Sequence, residues 1–112
     1  MPPEAATYLR DMLDAVQAIE DQVRGLAAAE FLARRGVRDA VTWNLCVIGE
    51  ALNKLVKVDE PTARQITDSR KIVAVRNQLI HGYAVINHDI TWEIATEKLP
   101  ILRRELEQML AS

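Results

Sequence analysis

Nine consecutive residues, Val75-Arg76-Asn77-Gln78-Leu79-Ile80-His81-Gly82-Tyr83, gather an arginine, an amide, one of two histidines and one of two tyrosines. The planar guanidinium fork of an arginine can clamp a phosphate through paired hydrogen bonds. A histidine, with an ordinary pKa of about 6.5, can take up or give a proton at neutral pH. The pair suits chemistry on a phosphate ester without a metal. His81 and His88, with the lone Cys46, supply too few ligands for zinc. The sequence therefore predicts neither a metal nor a cofactor.

Geometry limits how the two residues can act. On a helix at about 100° per residue, Ile72, Val75 and Leu79 mark a buried face and Arg76 falls within their arc. A guanidinium there needs an acid or an anionic ligand, because it cannot shed its charge. Glu50, in Ile48-Gly49-Glu50-Ala51, is the first acid to consider as its fixed partner. Asn77 and His81, four apart, share an adjacent face. Arg76 and His81, five apart, point roughly 140° from each other. Either the helix unwinds near Gly82, or a second copy of the helix completes the site across a two-fold axis.

The elements that must position these residues read as helices. Pro2-Pro3-Glu4 is a helix start, with proline and an acid in the first turn. Leu9, Met12, Val16, Ile19 and Val23 form one helix face, and Gly25 is a stop. Residues 26–36 read as a short Ala-rich helical turn and a connection. A second long helix is predicted from about Val37 to Val58, with Val41, Leu45, Ile48, Leu52 and Leu55 as its stripe. Trp43 and Cys46 lie off that stripe, toward Glu50 and Lys54. Pro61 ends this segment, and 59–69 reads as a loop with one helical turn. The motif helix follows from about Arg70 to His81, terminated by Gly82. Asn87 or Asp89 is the next N-cap. The last helix runs through Ile94, Ala95, Leu99, Leu102, Leu106 and Met109, with a kink or break near Lys98 caused by Pro100. The expectation is one all-α domain over residues 1–112, an up-and-down bundle of four main helices.

Composition agrees. A chain of 112 residues with few aromatics favours one helical domain. It has no apolar run of transmembrane length and no leader-like N-terminus, so neither a membrane span nor a signal peptide is expected. A single cysteine fits a reducing cytosol. A net charge of −2 argues against holding nucleic acid by bulk charge. Any nucleic acid would be held by a small patch, with Arg70, Lys71 and Arg76 as candidates.

Each motif residue also has an ordinary structural use. A histidine before a helix-ending glycine can satisfy the helix C-terminus. Tyr83 can be a core aromatic, and Trp43 and Trp92 read as packing residues rather than base-stacking platforms. Arg34, Arg35 and Arg38 read as a solvated face, and His88 as a surface or capping residue.

The motif has company, however. Arg76-Asn77-Gln78-Leu79-Ile80-His81-Gly82-Tyr83 resembles the Arg-x4-His-x-Tyr signature of the HepT-like toxins of the HEPN superfamily. Ile48-Gly49-Glu50-Ala51 is similar to that family's second-helix signature. Ile90-Thr91-Trp92-Glu93-Ile94 and Leu99-Pro100-Ile101-Leu102 are similar to its last-helix pattern. Asp68-Ser69-Arg70 stands where many relatives carry a tryptophan. The resemblance implies a bundle of four to five helices that dimerises through the motif helices, with a metal-independent endoribonuclease site at the interface. It further implies the toxin of a toxin–antitoxin pair, whose antitoxin is a minimal nucleotidyltransferase. His81 would be general base or acid, Arg76 would hold the scissile phosphate, and Asn77 would orient phosphate or histidine. Glu50 and Gly82 would support them, and Tyr83 would be the AMP acceptor. A second reading is a non-catalytic helical dimer that binds and regulates a partner nucleotidyltransferase, or that binds a nucleotide.

Overall fold

The computed structural model describes residues 1–80 and 86–112, without the Ile80 side chain. The elements are α1 (Pro3–Val23), α2 (Ala28–Ala33), α3 (Arg35–Val58), α4 (Glu60–Ala63), α5 (Ser69–Ile80), α6 (His88–Glu93), a π-helical turn (Ile94–Lys98) and α7 (Leu99–Ala111). No strand occurs among the described residues. The protein is an all-α bundle, and no described helix is long and apolar enough to cross a membrane.

The stripes seen in the sequence make the core. Leu9, Met12, Val16 and Ile19 of α1 are buried together with Val41, Leu45, Ile48, Leu52 and Leu55 of α3. Leu99, Leu102, Leu106 and Met109 of α7 complete the core. α1 packs along α3 and against α7, while α5 packs chiefly along α3. None of the described residues of α5 is fully buried; Ile72, Val73, Val75 and Leu79 are half-buried. The motif helix is thus held mainly from one side.

Element ends follow local chemistry. After α1 the Leu26 N–H donates to the Val23 carbonyl at 3.0 Å. Arg24 has φ −56° and ψ 127°, and Gly25 has φ +77°. These are type II turn angles, and the third position of that turn needs the positive φ that glycine supplies. Asp59 closes α3 and caps α4, accepting from the Thr62 N–H at 3.3 Å and its hydroxyl at 2.6 Å. Before α5, Thr67 donates to Glu105 of α7 through its N–H at 3.1 Å and its hydroxyl at 2.8 Å. This ties the start of the motif helix to the end of the chain. Asn87 caps α6, accepting from the N–H groups of Asp89 and Ile90 at 3.0 and 3.3 Å.

The structure refines the expected boundaries. The second long helix starts at Arg35 rather than Val37. The 26–36 connection holds a six-residue helix whose Phe31 is fully buried against Trp92, with ring centroids 5.1 Å apart. Pro61 lies in the first turn of α4, where its missing N–H costs nothing. The break near Lys98 takes a specific form. Pro100 sits in the first turn of α7, and the preceding turn widens to π. In an unbroken α-helix its ring would meet the carbonyl four residues back, and the wider turn relieves that clash.

Because Leu52 is fully buried in α3 and Val56, one turn later, is 39% exposed, their truncations should differ sharply. Leu52→Ala should lower the unfolding free energy by about 2–5 kcal/mol. Val56→Ala should change it by no more than about 0.5 kcal/mol. Urea denaturation reads both.

Candidate active site

Arg76 lies where α5 meets α3, and that meeting depends on a missing side chain. Gly49 is buried in the middle of α3. A Cβ built there would fall on the Arg76 Cβ, 2.8 Å from its Cγ and 3.4 Å from its Cα. A side chain at position 49 would therefore have to push back Arg76, including atoms next to its backbone. Glycine allows the backbones to close, as small residues do wherever helices approach tightly.

The next residue of α3 supplies the counter-charge. Arg76 Nη2 donates to Glu50 Oε2, and Glu50 Oε1 lies 3.9 Å from Lys54 Nζ. Arg76 Nη1 donates to Asn77 Oδ1 at 2.8 Å. The Arg76 side chain is 21% exposed and that of Glu50 39%. The pair is therefore partly desolvated but still open to a ligand. Arg76 Nε is buried with no partner among the described residues, and the guanidinium's donor capacity beyond its two contacts lies in its remaining Nη hydrogens. A cation held this way can bind an anionic oxygen.

The pair opens into a groove of about 810 Å³ between α1 and α3. Tyr8, Asp11 and Asp14 line it from α1, while Trp43, Asn44, Cys46 and Val47 line it from α3. Burial pushes the Cys46 thiol up, and the Arg76 cation beside it pulls partly back down. Among the described residues no three His, Cys, Asp or Glu side chains gather as a metal site.

The sequence candidates separate here. Arg76, Asn77 and Glu50 are brought into contact. Lys71 is not with them; it lies 3.9 Å from Asp68 and lines a separate, mostly apolar cavity between α5 and the end of the chain. Arg70 is solvent-exposed on the first turn of α5. His81, Gly82 and Tyr83 lie outside the described residues. Two features went unread in the sequence. Trp43, expected to pack, is 70% exposed in the groove; its place off the apolar stripe was the available signal. The close approach at Gly49 had only the small residue itself as a sign.

Comparison with known proteins gives the family. The family model described as "Ribonuclease HepT-like" matches residues 12–109. "Putative RNase MJ0127" of Methanocaldococcus jannaschii is 30% identical over 107 residues, spanning 96% of this chain and 88% of that protein. "Probable ribonuclease HepT" of Thermococcus cleftensis is 28% identical, spanning 91% of this chain and 92% of that protein. No solved structure matches the chain at a significant level. With the family model covering residues 12–109, the chain belongs to the HepT-like ribonuclease family.

The thiol beside the arginine reports on the guanidinium. With burial as the larger influence, the Cys46 thiol should be protonated at neutral pH, and its alkylation midpoint should lie above that of free cysteine. In Arg76→Ala the cation that lowers it is gone, so the midpoint should move further up. A pH series of iodoacetamide labelling measures both.

Proposed function

We propose that this protein is a metal-independent endoribonuclease acting as the toxin of a toxin–antitoxin pair. The observation that carries the reading is the Arg76 guanidinium, held by Glu50 and Asn77 at an open groove in a chain of a ribonuclease family. Arg76 grips the scissile phosphate and stabilises the charge that develops on it. His81, five residues on, takes the proton of the ribose 2′-hydroxyl as that oxygen attacks phosphorus. The bond to the 5′-oxygen breaks, and a protonated histidine gives that oxygen its proton.

Two arguments support a composite site in a homodimer. On an unbroken helix Arg76 and His81 would point roughly 140° apart, and a second copy would bring one of each to a single phosphate, unwinding near Gly82 being the alternative. The motif helix also has no fully buried residue among those described, which leaves apolar surface for a partner helix. Restraint of the toxin falls to a minimal nucleotidyltransferase that attaches AMP to Tyr83. The added bulk and negative charge beside Arg76 then exclude RNA. Such a protein works in the cytoplasm, where its RNA is.

The test is cleavage of a structured RNA in excess EDTA, with circular dichroism to confirm folding. Wild type should cut. His81→Ala should lose about two to four orders of magnitude in rate, and Arg76→Ala about two to three. Equal cleavage by all three folded proteins would overturn the assignment. No cleavage by any of them, with Tyr83 unmodified, would leave a non-catalytic module that binds a nucleotidyltransferase.

A further inference from the structure

The exposed indole of Trp43 shares a groove with the arginine clamp, and we infer that it is a stacking platform for a nucleobase of the strand that Arg76 holds. The inference rests on the ribonuclease reading and extends it to how the RNA is seated. The indole is 70% exposed, with no described element of the chain packed over it, and an exposed aromatic beside a phosphate site can stack a base. Trp43 and Glu50 are seven residues apart on one rigid helix. That is about 10 Å along the axis, at most about three nucleotides of stacked strand and fewer when the bases are splayed. A strand with its phosphate on Arg76 therefore reaches Trp43 with a neighbouring base.

Lys54 and Arg76 cluster at Glu50, so the backbone belongs there. Asp11 and Asp14 on the α1 wall of the groove repel phosphate. Asn44 donates one Nδ2 hydrogen to the Ala40 carbonyl at 3.0 Å, and its amide keeps both a donor and an acceptor for a base edge.

Short fluorescein-labelled oligo(A), oligo(C) and oligo(U) with 2′-O-methyl riboses resist cleavage because the attacking hydroxyl is blocked. Their binding is measured by fluorescence anisotropy, with sedimentation velocity on the same proteins. Trp43→Ala should weaken oligo(A) binding about tenfold, and Trp43→Phe should recover most of it. Unchanged binding in Trp43→Ala, no binding by wild type, or an effect confined to the sedimentation coefficient would overturn the inference. The last result would mean that a second copy covers Trp43. The two readings fail separately. RNA left intact by a wild type whose binding follows this pattern removes the ribonuclease and keeps the platform. Cleavage unaltered in rate and KM by Trp43→Ala does the reverse.

Discussion

The close contact between Gly49 of α3 and Arg76 of α5 is the constraint on which the rest of this structure depends. A cation near a helix–helix seam is expensive unless it is paired. Here α3 solves both the steric and the electrostatic problem with consecutive residues: glycine makes the room, and Glu50 supplies the charge. Neither residue acts on phosphate itself. Together they fix where the guanidinium sits, and its remaining donor capacity is what a phosphate would use. The same pair explains how the side chain can be largely buried and still charged.

The remainder of the bundle serves as a mount for α3. Its apolar stripe is clamped by α1, which is backed in turn by α7, so α3 is rigid where Gly49 and Glu50 lie. α5 then needs few contacts of its own. It is seated along α3 and tied at its start by the Thr67–Glu105 hydrogen bonds. The widened turn at Ile94–Lys98 lets the chain bend into α7 despite Pro100. A motif helix anchored from one side keeps its other face free. A composite site requires such a face, whereas a helix buried all round would have to be uncovered first.

Much of this was legible in the sequence because helix periodicity reports burial directly. The stripes of α1, α3 and α7 fall where Leu9, Leu52 and Leu106 predict, and Asn87 and Pro100 mark real changes in the backbone. The Arg76–Glu50 pairing could be suggested because a guanidinium within an apolar arc demands an acid. What periodicity cannot say is which neighbour covers a residue that lies off the stripe. Trp43 read as packing because indoles usually pack, yet no described element crosses over it. Lys71 read as part of an RNA patch because it is near Arg76 in sequence, but the helix turns it toward another cavity. The π turn was legible only as a break, since its form depends on how α6 and α7 meet the core.

The decisive measurement compares two glycine-to-alanine changes in the same helix by urea unfolding. A methyl on Gly36 would meet nothing within 4 Å, whereas a methyl on Gly49 falls on Arg76. Gly36→Ala should be neutral or stabilising by up to about 1 kcal/mol, since alanine is the better helix former. Gly49→Ala carries the same propensity gain and should nonetheless destabilise the fold by about 1–3 kcal/mol, because it overpacks the α3–α5 seam. A Gly49→Ala protein as stable as wild type, or more so, would mean that the Gly49 contact does not set the position of Arg76.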